Sequence, residues 1–240
     1  MPTKKIDYGI DAPGVIRNLF IFSAIGFIVP VFFPVIKLAS VVINARGFVW
    51  MGVTCGLTGI WMLAYSMYGK PRHRNRILNM IAWKGNEMVL DVGTGRGLLM
   101  IGAAKKLTTG KSTGIDIWNA EDLTKNNMEN TMNNVVLEGV KDRVEIKNDN
   151  AMSMSFADGT FDIVISNLCL HNIYNADGRK KACDEIARVL KKEGTGIISD
   201  FKHMKEYEKN FRQAGLTTEF FGASYFTTFP PLAILKIRKT

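Results

Sequence analysis

Three glycines at alternate positions, Gly93, Gly95 and Gly97, follow the apolar run Val89-Leu90-Asp91-Val92. Such a run reads as a buried parallel strand with Asp91 its only charge, and Leu98–Leu107 resumes at helical spacing. A strand that breaks into glycines before a helix lets a ligand reach backbone N–H groups with no Cβ in the way. A dinucleotide fingerprint would place a third small residue where Leu98 stands, which argues against a pyrophosphate pressed on the helix start. About 20 residues further on, the next apolar run, Gly114-Ile115-Asp116-Ile117, ends on an acid. That is the place where a ribose hydroxyl pair needs a bidentate acceptor.

Two further stretches complete a series in fixed order. Arg143–Lys147 leads into Asp149-Asn150-Ala151, and Phe161–Ser166 leads into Asn167-Leu168-Cys169-Leu170-His171-Asn172. With these four motifs the chain resembles the class I S-adenosylmethionine-dependent methyltransferases, most of all the branch that includes the ubiquinone/menaquinone-biosynthesis enzymes (type 11). The likeness covers roughly Arg72–Lys239 and carries cofactor and fold but no substrate.

The resemblance implies a role for each motif. Gly93, Thr94, Gly95 and Gly97 would lie against the methionyl and ribose portions of S-adenosyl-L-methionine, with Asp91 accepting from its ammonium. Asp116 would hold the ribose hydroxyls, and Ile117 would pack on the adenine. Relatives carry Gly-Asp-Ala after the third strand; here Asn150-Ala151 stands there, keeping an acceptor oxygen and losing the charge. Asn167, expected among the cofactor contacts, opens the substrate-facing loop after the fourth strand. An oxygen or nitrogen nucleophile protonated at neutral pH needs a base, and His171 has a suitable intrinsic pKa. Asp200 and His203, just past the fifth strand, are second-choice substrate contacts, and Tyr174 is a third. No metal pattern is expected: Cys55, Cys169 and Cys183 are widely spaced and odd in number, which also gives no disulfide framework.

The elements that must position these residues alternate. Strands are expected at Met88–Val92, Thr113–Ile117, Val144–Lys147, Asp162–Ser166, Gly194–Asp200, Thr217–Phe221 and Leu232–Ile237. Helices are expected at Arg76–Trp83, Leu98–Leu107, Glu121–Glu138, Arg179–Leu190 and Met204–Ala214. The alternation predicts an α/β fold, a doubly wound and mostly parallel sheet covered on both faces. The last two strands lack a helix-length connection and should form an antiparallel hairpin. The resemblance adds a seven-stranded order with the final strand inserted.

Residues 1–70 are different material. Leu19–Ile36 and Gly47–Gly69 are uncharged apolar runs, each long enough to cross a bilayer. Trp50, Trp61, Tyr65 and Tyr68 lie toward the ends of the second run, as interfacial aromatics do. Pro30 and Pro34 should bend the first. Lys4, Lys5 and Arg17 flank the hairpin on one side and Lys70, Arg72, Arg74 and Arg76 on the other, against only Lys37 and Arg46 in the connection. The positive-inside rule then puts both ends, and residues 71–240, in the cytoplasm. The alternatives are an apolar hairpin packed on the domain as a lid or dimer surface, and a hairpin that dips into one leaflet. Lys70–Arg76 reads as a basic linker at anionic head groups. The net charge of +9 suits a membrane surface better than nucleic acid, since no aromatic-interleaved basic face occurs elsewhere.

The expectation is a membrane-anchored methyltransferase whose acceptor is a lipid, a quinone or another small molecule met at the bilayer. Its rivals are methylation of a protein side chain or a soluble small molecule, and a non-catalytic cofactor-binding scaffold. Asp7–Pro13, polar and turn-forming, could fold back over the cofactor as a lid. Phe226–Pro231 could form an apolar tip that helps an apolar substrate enter.

Overall fold

The computed structural model describes residues 5–240 and, beyond their backbone course, all side chains in that range save Leu38; Lys4 of the positive-inside argument lies outside it. The chain starts with a helical hairpin. Helix α1 (Pro13–Phe32) and helix α2 (Phe48–Ala64) are joined by a small antiparallel pair, β1 (Val35–Leu38) and β2 (Val41–Asn44). Pro30 is carried inside α1, and Pro34 falls just past its end. The β-ribbon was not foreseen; its β-branched residues read equally well as a continuation of the apolar run.

Small residues let the two helices meet. A Cβ on Gly26 would stand 2.5 Å from the Gly52 nitrogen, and Gly56 and Gly59 face Ser23 and Phe20. The Ser23 hydroxyl donates to the Gly52 carbonyl at 2.8 Å. Close backbone approach with a hydroxyl bond is how apolar helices associate without a hydrophobic drive between them. Their outward faces, Phe22, Ile25, Ile28, Val31, Trp50, Leu57 and Ile60 among them, are exposed.

Past Ala64 the helix does not stop. A π-turn, Tyr65–Gly69, carries it into α3 (Lys70–Leu78). The basic stretch is therefore a helix rather than an extended linker, and it starts earlier than the helix expected at Arg76. Lys70, His73, Ile77 and Leu78 are buried. Their 3–4 residue spacing turns one face onto the α/β domain while Arg72 and Arg76 stay in solvent.

The rest is a seven-stranded sheet in the order β5-β4-β3-β6-β7-β9-β8. Its strands are β3 (Met88–Val92), β4 (Lys111–Asp116), β5 (Val144–Asn148), β6 (Phe161–Asn167), β7 (Leu190–Asp200), β8 (Leu216–Ser224) and β9 (Leu232–Lys239). The first five pair in parallel, and β9 inserts antiparallel between β7 and β8, as the resemblance implied. Helix α4 (Leu98–Ala104) packs with α3 on one face, where Ile77, Leu78, Leu99 and Ala103 meet Val89, Ile163, Ile165 and Ile197. Helix α5 (Met128–Leu137) joins α4 through Val135, Ile101 and Ala104. Helices α6 (Ala176–Val189) and α7 (Met204–Gln213) cover the other face with Cys183, Ile186, Tyr207 and Phe211.

One expected helix is half loop. Of Glu121–Glu138 only the part from Met128 is α-helix, because the Asn127 side chain caps it by accepting from the Asn130 N–H at 2.8 Å. The preceding residues are left free to form a loop over the carboxyl ends of the strands.

Candidate active site

The order of the sheet reverses between β3 and its neighbours β4 and β6, and the site residues gather beyond the carboxyl ends there. All three glycines of the turn have positive φ: 73° at Gly93, 51° at Gly95 and 85° at Gly97. The turn is fastened to β4 by Gly93 and Thr94 N–H bonds to the Ile115 carbonyl, both 2.9 Å. Asp91 works inside this turn. Its Oδ2 accepts from the Thr94 hydroxyl and from the Met100 N–H of the first turn of α4, each at 2.8 Å. Burial pushes the Asp91 carboxyl up to about 7. Asp91 and Thr94 thus shape the cradle from beneath.

Asp116 ends β4 and reaches back to the turn. Its Oδ2 accepts from the Gly95 N–H at 2.8 Å and its Oδ1 from the Trp118 N–H at 2.7 Å. Asn126 adds a third donor at 3.3 Å. Ile117 is exposed beside it. Asn150 is exposed and uses its Oδ1 to close its own turn, accepting from the Met152 N–H at 2.9 Å, while Ala151 packs against the core.

The acceptor side is built by the loop after β6. Leu168, at φ 54°, donates its N–H to the Ser199 carbonyl, and Cys169 then lies directly on Gly93. A Cβ on Gly93 would fall 2.3 Å from Cys169 Sγ, so glycine is required there for the loop to close on the turn. The loop delivers His171 to Asp200. The imidazole Nδ1 is 2.8 Å from Asp200 Oδ1, and the His171 N–H donates to Asp200 Oδ2 at 3.2 Å. Asp200 is fully buried and also accepts from the Phe201 N–H, and the Phe201 ring packs edge-on to the imidazole with centroids 4.7 Å apart. His171 keeps partial exposure. Nδ1 lies within ion-pair distance of this buried carboxylate but outside hydrogen-bond geometry, so the hydrogen bond that ties the loop to Asp200 is the one from the His171 backbone N–H.

His203 does not join this pair; it starts α7 and its Nδ1 lies 3.3 Å from Glu206 Oε2. Tyr174 is almost wholly exposed. Asn167 ends β6 with its buried Oδ1 unpartnered.

Sequence reasoning missed the loop between β4 and α5. Leu123 stands where a Cβ on Gly95 would meet it at 2.9 Å, and Trp118 Nε1 and Asn126 Oδ1 are buried without a partner. Burial raises the Asp122 carboxyl above its ordinary value, with His171 close enough to oppose that. The paired Asn126-Asn127 ahead of α5 was the signal available, since asparagines favour caps and loops over helix interiors.

The segment Asp7–Ala12 does fold back, onto this loop and the turn. Asp11 bridges to Leu123, Ile10 and Thr124 exchange bonds of 2.8 and 3.1 Å, and the Ala12 N–H reaches the Asp122 carbonyl. Arg96 of the glycine turn, itself buried, donates to Asp7 Oδ2 at 2.8 Å. Lys70 of α3 pairs with Asp11 at 2.6 Å and donates to the Gly9 carbonyl at 2.9 Å. Both ends of the helical hairpin are therefore tied into the site.

The residues around the turn fit a charged sulfur nucleoside: positive-φ glycines, a strand-end carboxylate one strand over, and unpartnered buried polar atoms on Trp118 and Asn126. Fold and site together define a class I S-adenosylmethionine-dependent methyltransferase domain. Comparison with known proteins narrows this. Residues 90–198 match the methyltransferase domain family. The demethylmenaquinone methyltransferase of Lactiplantibacillus plantarum is 33% identical over 125 residues, 51% of this chain and 49% of that protein. The ubiquinone/menaquinone biosynthesis C-methyltransferase of Hydrogenovibrio crunogenus is 32% identical over 120 residues, 50% of this chain and 44% of that protein. The ribosomal protein L11 methyltransferase of Dictyoglomus thermophilum is 38% identical over 129 residues, 51% of this chain and 37% of that protein. The chain spans less than half the length of these curated relatives. A SAM-dependent methyltransferase from Aquifex aeolicus superposes with a TM-score of 0.55 at 19% identity, covering 70% of this chain and 89% of that one. The structure of a geranyl diphosphate methyltransferase gives 0.59 at 14% identity, covering 71% and 85%. At such identity the solved structures establish the fold alone. The matched stretch is similar to the type 11 branch of the class I methyltransferases, and this likeness together with the fold implies S-adenosyl-L-methionine as cofactor.

Proposed function

We propose that this chain transfers a methyl group from S-adenosyl-L-methionine to an acceptor it meets at the surface of a bilayer, a lipid or a quinone. The observation that carries the membrane half of this reading is the hairpin. Only 17% of the apolar window of each helix is buried within the protein, where the core helix of an α/β fold would be mostly covered. Apolar area of that extent in water is a liability, and a bilayer removes it. The hairpin also returns both ends to the site, which agrees with Lys70, Arg72, Arg74 and Arg76 lying on the cytoplasmic side. Curated quinone methyltransferases among the relatives add weight to a lipid-phase acceptor.

When bound, the cofactor supplies an electrophilic methyl on a sulfonium. Gly93, Gly95 and Gly97 would carry it along the turn, with Asp116 on its ribose. Ile117 stands exposed for the adenine. The protein's remaining task is alignment of the acceptor, which can supply several kcal/mol, and removal of its proton. His171 takes that proton on Nε2, and the Asp200 carboxylate 2.8 Å from Nδ1 stabilises the imidazolium that forms. Asp200 is a positioning residue for His171. A hairpin in the bilayer raises the local concentration of a lipid-phase acceptor without any added contact.

The test is incubation of the detergent-solubilised chain with methyl-labelled cofactor and vesicles made from a cell extract, followed by partition into lipid, protein and aqueous fractions. Label in the lipid fraction is expected. Label confined to the protein or aqueous fraction would move the reading to its rivals, a protein side chain or a soluble acceptor; no label with intact cofactor binding would leave the scaffold.

A further inference from the structure

A groove of about 220 Å³ runs between the lower end of the second helix and the turn joining β8 to β9. Trp61, Ala64 and Tyr68 form one wall, Phe226 and Thr227 the other, and Arg72 closes one end. Each wall has a stated place in the fold. Trp61–Tyr68 is the aromatic stretch at the domain end of α2, where interfacial residues of a span belong. The opposite wall leaves the sheet at the catalytic rim. β9 pairs with β7 so that Ala233 stands opposite Asp200, and the residues just before it form the tip.

The base of the tip is fixed. Thr228 is buried, accepts from the Leu232 N–H and donates to the Ser224 carbonyl, both at 2.8 Å. Tyr225 and Phe226 nevertheless project, 71% and 89% exposed. Buried support beneath two bare aromatics is wasteful on a face meant for water. Because Phe226 shares a groove with Trp61 and Tyr68, it has whatever depth in the bilayer that end of α2 has.

The cationic end is unpaired. Arg72 donates only to the Tyr68 carbonyl, at 3.3 Å, and Arg76 lies one helical turn on. Among the described residues neither has an acidic partner, although most other arginines of the α/β domain do. Arg72 at the end of the aromatic groove, with exposed Arg76 one turn further along the same helix face, matches a phosphate with an alkyl chain attached.

We propose that this groove binds a phospholipid of the surrounding bilayer with an anionic head group. Its chain lies between Trp61, Ala64 and Phe226, and its phosphate sits at Arg72 and Arg76. The lipid seats the β8–β9 tip in the interface and so holds the rim bearing Asp200 and His171 against the membrane. This inference rests on the membrane reading proposed above and extends it to a specific site.

Native mass spectrometry of the full chain, released from micelles doped with dioleoylphosphatidylglycerol or dioleoylphosphatidylcholine, tests it directly. Wild type should retain phosphatidylglycerol in preference to phosphatidylcholine. R72Q/R76Q should weaken phosphatidylglycerol binding about 30-fold, the effect of removing two basic residues near a surface, and weaken phosphatidylcholine, whose choline offsets its phosphate charge, by less. F226A should weaken both lipids alike. Titration with S-adenosylhomocysteine, unchanged in every variant, would show that the fold is kept. Equal retention of the two lipids by wild type, or undiminished phosphatidylglycerol binding by R72Q/R76Q, would overturn the proposal. Selective binding without any methylated lipid would uphold the groove and refute the lipid acceptor, so the two claims fail separately.

Discussion

Replacing Gly93 by alanine tests whether the cofactor turn and the acceptor loop are one mechanical unit. Gly93 sits at φ 73°, where an L-residue costs about 1–2 kcal/mol. The new Cβ would fall 2.3 Å from Cys169 Sγ and 2.4 Å from Cys169 Cβ. The Cys169 Cβ cannot swing clear even if Sγ rotates, since the loop is pinned by the Leu168 bond to Ser199 and by His171 on Asp200. Overpacking of that kind costs about 1–3 kcal/mol, so the whole penalty is about 2–5 kcal/mol. In a chain of this size each kcal/mol lowers Tm by about 2–4 °C. The informative experiment is the double-mutant cycle with Cys169→Gly, which deletes both clashing atoms. In that background G93A should cost only the backbone penalty of about 1–2 kcal/mol, leaving a coupling of about 1–3 kcal/mol. Thermal unfolding in detergent gives the stabilities, and S-adenosylhomocysteine titration reads the turn itself. If G93A costs the same with and without Cys169, the loop does not rest on the turn and the geometry argued here is wrong.

Three further outcomes follow from other contacts. Asp11→Ala strips the buried Lys70 ammonium of its carboxylate; with Asp11 itself partly exposed, the loss should be about 1–3 kcal/mol in chemical denaturation, and cofactor affinity should fall because the Asp7–Ala12 segment loses its side-chain anchor on α3. An unchanged affinity would mean the Asp7–Ala12 segment is bystander packing. Asp91 has a folded-state pKa raised to about 7 from an ordinary 3.8, so its contribution is full below about pH 4 and is lost as pH rises through 7. Wild type should therefore lose stability relative to D91N across that window, and parallel curves for the two would remove the burial argument. Asp200→Asn should leave S-adenosylhomocysteine binding intact while slowing turnover by about 10²–10⁴, the usual worth of an oriented base, and an equal loss of binding would mark Asp200 as a structural group only.

Much of the fold was legible because its signals are local. The strand-turn-helix at Leu90–Leu98 and the acid at Asp116 follow from glycine spacing and from alternation of apolar runs. His171 and Asp200 could each be named as candidates, yet nothing in their 29-residue separation said that one holds the other at 2.8 Å. That contact depends on β6 and β7 being neighbours. His203 shows the converse: three residues past Asp200, it turns to Glu206 because helix spacing at the start of α7 offers a nearer partner. The stitching of Asp7 and Asp11 to Arg96 and Lys70 joins residues far apart in sequence, where periodicity carries no information. The basic run at Lys70–Arg76 misled for a physical reason as well. Its composition is that of a solvated linker, but Lys70, His73 and Ile77 share one face, and only the sheet beneath makes that face worth burying.

The central claim is that His171 removes a proton from an acceptor resident in the membrane. Single-turnover transfer from labelled cofactor, pre-bound to the chain in lipid vesicles, reads that step for wild type and His171→Gln together. Wild type should place label in the extracted lipid, and H171Q should do so about 10²–10⁴ times more slowly with S-adenosylhomocysteine affinity unaltered. Label that reaches lipid equally fast in both proteins, or never enters the lipid from either, would contradict it.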